Sequence, residues 1–430
     1  MAEDTPYIYA DNAATTPLSP CALEAMMPYL TGVFGNPSGI HRVSREAAEA
    51  LGALRKRMAR LLGARAAGEV YFTSGGSESD NWVLRGAIAR FRDLHAGDGL
   101  RPCLVTSAVE HHAVLHCCDS LEHEGAEVVR LPVDGVGRVR ASDLEAALAA
   151  AEGRVALVSI MLANNEVGTV QDIARLAKIA HDHGAPFHTD AVQAVGHIPV
   201  SVAALDVDAL SLSAHKFHGP HGAGALYLRE GFSIPPLITG GAQERGERAG
   251  TENLAGVAGM VAALEECSDG LEQRAQRVAR LRGRLIEAVV SGVDDVMVTG
   301  DVSGIEGVPA SDGHKLEGAR GDGALEPADG LPWRRLPSIA SFACHDVDGE
   351  LLMVLLDRAG VAAATGSACA TGSTDPSHVA VALGIEDPRW NHGTLRLSLA
   401  DDVSEEEVEA LCERVPACIK RCRMLSGTIA

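Results

Sequence analysis

The sequence is poor in basic charge. Across 430 residues, 37 Lys and Arg stand against 58 Asp and Glu, a formal net charge of -21. That balance repels phosphate backbones and anionic lipid at any distance beyond a Debye length of about 8 Å. Neither direct nucleic-acid binding nor a membrane partner is expected. The opening Met1-Ala-Glu-Asp-Thr-Pro lacks the basic and apolar stretches of an export signal. No apolar run approaches the roughly 18 residues that a membrane span needs, so a soluble, cytoplasmic protein is expected. The ten cysteines therefore read as reduced thiols and not as a disulfide framework. Zinc-type CxxC pairs are missing: Cys117 and Cys118 are adjacent, Cys418 and Cys422 are four apart, and no structural metal is expected. There is no repeat and no low-complexity array.

What is present is alternation. Short β-branched runs at Val70–Ser74, Cys103–Ser107, Glu127–Leu131, Val155–Met161, Pro186–Asp190, Ala209–Ser213 and Ala225–Arg229 are separated by helical patterns, which predicts a parallel or mixed sheet covered on both faces. Arg45–Leu62 and Val170–His183 carry apolar residues at three- and four-residue spacing, the second stopping at Gly184. Beyond about Leu264 the pattern changes to a charged helix, Leu271–Val290, then strands near Val296, Ser338–Ala343, Val361–Ala364 and Thr394–Ser398, and a last helix from about Ser404. A large domain over residues 19–264 and a smaller α+β domain built from 1–18 and 265–430 are expected. Gly300–Pro332, rich in Gly, Asp, Ala and Pro, has too little apolar surface to offset its ordering entropy and reads as a mobile surface excursion.

Two strand ends carry the strongest chemical signal: Asp190-Ala-Val-Gln193 and Ser213-Ala-His-Lys216. Ligands bind at strand ends in open α/β sheets. Pyridoxal phosphate (PLP) needs a lysine to form a Schiff base and an acid beside its ring nitrogen, and Lys216 and Asp190 fit those roles. Singly, the first would be a solvated loop lysine and the second a turn residue; their joint occurrence in this order favours the cofactor. Phe72-Thr-Ser-Gly-Gly-Ser-Glu-Ser-Asp80 offers a strand, a glycine turn and a helix start whose N–H groups can hold phosphate, with Gly76 and Ser77 at its centre and Ser77 also a candidate helix cap. Ser213 and His215 are further candidate phosphate donors. Gln193 and Asn165 are candidates for the phenolic oxygen, although asparagine also serves turns. His111, just past Cys103–Ser107, can stack on the ring and shuttle protons if it titrates near the usual value of about 6.5. Spacing alone does not separate it from His112.

Together these segments resemble the class V aminotransferase group of PLP fold-type-I enzymes, and within it the long-loop cysteine desulfurases of iron-sulfur and nitrogenase maturation. The resemblance runs from Tyr9-Ala-Asp-Asn-Ala-Ala-Thr-Thr16 and Gly35-Asn-Pro-Ser-Gly-Ile-His41 through Asn164-Asn-Glu-Val-Gly168 and Gln243-Glu-Arg-Gly-Glu-Arg-Ala-Gly-Thr-Glu252 to Gly366-Ser-Ala-Cys369 and Leu395-Arg-Leu-Ser398. It implies a large domain with a seven-stranded, mainly parallel sheet, and PLP held by Lys216, Asp190, His111, Gly76, Ser77, Ser213 and His215. It also implies a homodimer in which Thr251 reaches the neighbouring subunit's phosphate. Arg396 would grip the substrate carboxylate, with Asn36 and His41 near the pocket.

By the same resemblance Cys369, in a run of small residues followed by Asp375-Pro-Ser-His378, takes sulfur from L-cysteine as a persulfide, leaves alanine, and passes the sulfur to a scaffold or carrier protein for iron-sulfur assembly or transfer-RNA thiolation. Cys369 is also the thiol that would transiently ligate a nascent cluster. Ala214, His218, Ala242 and Ala249 depart from the family's usual glycine, aromatic, glycine and serine. Rival readings are a selenocysteine lyase, another class V aminotransferase, and a non-catalytic scaffold.

Overall fold

The computed structural model describes residues 6–303, 331–366 and 376–429, and twelve strands form among these described residues. They are β1 (Ile8–Tyr9), β2 (Val70–Thr73), β3 (Cys103–Ser107), β4 (Glu127–Leu131), β5 (Val155–Ser159), β6 (Phe187–Asp190), β7 (Ala209–Ser213), β8 (Gly224–Leu228), β9 (Val296–Val298), β10 (Ile339–Cys344), β11 (Val361–Ala362) and β12 (Thr394–Ser398). Seven form one sheet in the order β2-β8-β7-β6-β5-β3-β4. Strand β8 is antiparallel to both neighbours and every other pair is parallel, so the mainly parallel sheet expected from the sequence is present.

Every residue of β3, β5, β6, β7 and β8 is buried, as a sheet with helices on both faces requires. Alternate side chains serve opposite faces. Leu226 and Leu228 share a core with Trp82, Ile88 and Phe91 of the helix Gly76–Leu94. Ala225 and Tyr227 join Met260 and Leu264 of the helix Leu254–Ser268 in the other core. The helix expected from Val170 starts only at Ile173, because the Asp172 side chain accepts the Arg175 N–H and caps it there. It closes before Gly184, whose φ of 73° provides the left-handed turn.

The later strands make a three-stranded antiparallel sheet, β12-β10-β9, covered by the helices Leu271–Gly292 and Glu405–Ile429. Leu285, Val289, Val408 and Ile419 pack there with Phe342 and Leu395. Strands β1 and β11 pair in parallel, and a bridge from Asp11 to Ser398 steers the N-terminal segment towards the ends of the large sheet.

The excursion expected over Gly300–Pro332 begins later than its composition suggests. Asp301 and Val302 are only 3% exposed, and Asp301 is ion-paired with buried Arg138. Composition missed this because one buried pair anchors a stretch that has little apolar surface of its own. Residues 304–330 lie outside the described residues. Among the described residues no helix is long and apolar enough to cross a membrane.

Candidate active site

Strands β2, β5, β6 and β7 end on the same edge of the sheet, and the chain beyond each end turns into one cavity of about 310 Å³. Asp190 is the last residue of β6, and Lys216 lies one turn beyond β7. The Lys216 Nζ donates to the Ala13 and Ala14 carbonyls at 2.7 and 2.8 Å, while Gln193 Nε2 donates to the Ala13 carbonyl at 2.9 Å. The N-terminal segment thus holds the lysine at the cavity wall.

Asp190 accepts the Val192 N–H at 2.9 Å. Burial lifts its carboxyl to about 6, with the Val192 N–H and the Lys216 charge opposing that rise. His111 caps the helix His112–His123, its Nδ1 accepting the Ala113 N–H at 3.1 Å; when the ring is neutral its proton is therefore on Nε2. Burial, then the Lys216 charge, lower it to about 4. The near-neutral titration expected from the sequence is corrected accordingly: His111 stays neutral at physiological pH. His215 is likewise lowered to about 4 by burial and Lys216, and its Nδ1 lies 3.2 Å from Thr15 Oγ1.

The glycine turn is built for close approach. A Cβ added at Gly76 would lie 2.6 Å from Val192 Cγ2, and one at Gly224 would lie 2.6 Å from the Gly75 Cα. The helix begins at Gly76 with Gly75 as its cap residue, so Ser77 lies within the first turn and is not the cap. Gly76 and Ser77 line the cavity, so the start of this helix, where an anion is favoured, lies at the cavity. Ala214, where glycine was the expected residue, sits in a helical turn and is fully buried, so its methyl group is accommodated without backbone strain.

Arg396, in β12, also lines the cavity and is 2% exposed. It donates from Nη1 to the Asn165 carbonyl and from Nη2 to Asp11 Oδ1, both at 2.8 Å, and its buried Nε has no partner among the described residues. The two asparagines divide their work. Asn164 Oδ1 accepts the Glu166 and Val167 N–H groups in a turn, which leaves Asn165 at the cavity.

The cavity therefore gathers Gly76, Ser77, His111, Asn165, Asp190, Gln193, Ser213, His215, Lys216 and Arg396 from the residues expected at the site. Asn36, His41 and Thr251 are exposed and do not line it; the His41 ring instead caps the helix Arg42–Leu62, accepting the Ser44 N–H at 3.3 Å. Cys369 lies outside the described residues, although Gly366 and His378, on either side of it in sequence, both line the cavity. Sequence reasoning missed three carboxyls. Glu110 is lifted to about 8 by burial, despite hydrogen bonds from Ser107 and Met161. Glu166 is lifted to about 7 by burial, with Ser377 and Arg396 opposing. Asp80 is 1% exposed and also lines the cavity. The available signal for Asp80 was a charge on the apolar stripe of its helix, three residues before Val83 and four before Leu84.

This arrangement of sheet, lysine and acid belongs to the class V aminotransferases: the chain matches that family over residues 8–304 and 313–411 and is a member of it. Among its relatives, a cysteine desulfurase of Cereibacter sphaeroides is 44% identical over 97% of both chains. A solved NifS-like protein superposes with a TM-score of 0.81 at 31% identity, covering 96% of this chain and 100% of that one. A structure described as SspA in complex with cysteine has a TM-score of 0.71 at 29% identity, covering 91% of this chain and 98% of the other.

Proposed function

We propose that this chain is a PLP-dependent cysteine desulfurase: it takes the sulfur of L-cysteine onto Cys369 as a persulfide and releases L-alanine. The observation that carries the reading is that Lys216 and Asp190, from adjacent strand ends, and Arg396, from β12, line one cavity. Full-length similarity to a cysteine desulfurase selects this reaction over selenocysteine lysis or transamination.

The residues present fit PLP. Lys216 Nζ is the amine to which it would attach, Asp190 would meet its ring nitrogen, and the Gly76 turn with Ser77, Ser213 and His215 would hold its phosphate. His111 would cover the ring, with Gln193 and Asn165 at the phenolic oxygen. Bound there, PLP supplies an aldehyde for covalent attachment and a protonated ring that takes up electrons.

Lys216 Nζ then holds the proton removed from the substrate α-carbon, and the Ala13 and Ala14 carbonyls fix where that nitrogen sits. The Nε of Arg396, which has no partner among the described residues, would donate to the substrate carboxylate. The Cys369 thiolate attacks the substrate sulfur, whose bond to carbon breaks while the new sulfur-sulfur bond forms. The sulfur then passes to a scaffold or carrier protein for iron-sulfur assembly or transfer-RNA thiolation.

The same reading has a cytoplasmic homodimer with Thr251 at the neighbour's phosphate, and a domain division at residues 19–264 against 1–18 and 265–430. Phe34 and Ile40, 73% and 90% exposed, support an apolar contact between subunits. Purified protein given PLP, L-cysteine and a reductant is expected to release alanine and sulfide in equal amounts, and Cys369→Ala to release neither. Alanine formation that survives in Cys369→Ala, or that requires a keto acid, would overturn the reading.

A further inference from the structure

Besides Asp190 the cavity is lined by Glu166, which Ser377 and Arg396 engage, and by Asp80. Asp80 projects from the first turns of the helix Gly76–Leu94. Its Oδ1 is buried without a hydrogen-bond partner among the described residues. The other contacts come from the sheet beneath. Ser211, in β7, favours ionisation of the Asp80 carboxyl. The His188 Nε2, in β6, lies 3.0 Å from Ser211 Oγ and 3.8 Å from Asp80 Oδ1, and the His188 Nδ1 lies 2.9 Å from Ser159 Oγ. Polar side chains thus run from Ser159 in β5 through His188 in β6 to Ser211 and Asp80, and Asp80 lines the same cavity as Asp190.

We propose that Asp80 is a positioning residue for the ring-nitrogen contact: as the second carboxyl of a buried acid pair, it sets through Asp190 how firmly the cofactor's ring nitrogen holds its proton. The inference rests on the PLP reading given above. Two carboxyls buried side by side do not both ionise readily, since each loses its hydration and repels the other. The asymmetry of their neighbours decides which keeps the proton. Asp190 has the Val192 N–H and the Lys216 charge beside it. Asp80 has no cation: burial first, then Asp190 and Glu110, drive its carboxyl far above the usual range, with only the Ser211 hydroxyl opposing. His188 brings no charge, because burial lowers it to about 3. Cys117, on the helix His112–His123, is a further titratable neighbour, and burial raises its thiol to about 11. The proton of the pair therefore favours Asp80 over Asp190. A ring cation bound there stabilises a second negative charge, and the ionising Asp80 in turn holds the ring proton to higher pH.

The test uses full-length protein loaded with PLP labelled with nitrogen-15 in the ring, whose resonance reports that atom's protonation directly as pH is varied. Loading is confirmed beforehand by the absorbance of bound PLP. In Asp80→Asn the ring nitrogen is expected to lose its proton at least about one pH unit lower than in the native protein, with an unchanged thermal midpoint. Ser211→Ala, which removes the hydroxyl that favours Asp80 ionisation, is expected to shift the same way by less, and it decides the matter if the asparagine variant does not fold. Superimposable titrations of variant and native protein overturn the proposal. Native protein that takes up no PLP overturns the cofactor reading itself, so the two failures are distinguishable.

Discussion

At Gly76 a single hydrogen separates an open turn, the proposed phosphate cradle, from a blocked one. The Cβ of an alanine would fall 2.6 Å from Val192 Cγ2, and a β-branched neighbour has little rotamer freedom with which to retreat. Overpacking of this kind costs about 1–3 kcal/mol. Gly76→Ala is expected to weaken PLP binding about tenfold or more, read by titrating cofactor-free protein and following absorbance. Ser77→Ala, which adds no volume, should weaken it less. The requirement for glycine was legible as a paired glycine after a strand, and so were Lys216 and Asp190 at strand ends. The lowered His111, the carbonyls of Ala13 and Ala14, and the buried Glu110, Glu166 and Asp80 were not. Each depends on burial or on contacts across about 50 to 200 residues of chain, which local patterns do not encode.

Among the elements, the strands were the most legible part. The residues of β3 and β7 are buried on both faces, so hydrophobicity and position coincide; β3, β4, β7 and β12 have the bounds their sequences suggest. Helix starts were less legible, since Asp172 moved one by three residues through a side-chain hydrogen bond. The Gly300 segment was misjudged at its start because its anchor is an ion pair. Arg138 donates to Asp301 and also to the carbonyls of Val170 and Arg334, tying that segment to the turn before residue 139. Removing one member of a buried pair strands the other's charge. Asp301→Ala is expected to destabilise the protein by about 3 kcal/mol, seen as a lower thermal midpoint, and Arg138→Met combined with it should recover part of that loss. An unchanged midpoint in the single variant would show that the pair does not anchor the segment.

For the whole molecule, the crowding of neutral acids and neutral histidines around one cavity makes stability depend on pH in a particular direction. His111 and His215 at about 4 and His188 at about 3 all lie below the ordinary 6.5. As pH falls below 6.5 the unfolded chain takes up protons that these folded groups refuse, so stability is lost towards acid pH. Glu110 at about 8 and Glu166 at about 7 lie above the ordinary 4.5, and Asp190 at about 6 lies above 3.8. These folded carboxyls keep protons that the unfolded chain has already released, so their contribution is lost as pH rises towards the folded values. Between 4.5 and 6.5 the two sets oppose each other. Above 6.5 only the loss from the carboxyls remains, joined by His218: burial works against its protonation, but Asp401 outweighs burial and raises it. The cofactor-free protein is therefore expected to lose stability from pH 6.5 to 8, at about 1.4 kcal/mol per pH unit for each proton retained. Urea unfolding midpoints at the two pH values measure the loss. Glu110→Gln, which cannot ionise, should flatten the dependence; a midpoint that rises over this interval would mean that the buried carboxyls are already ionised in the folded protein.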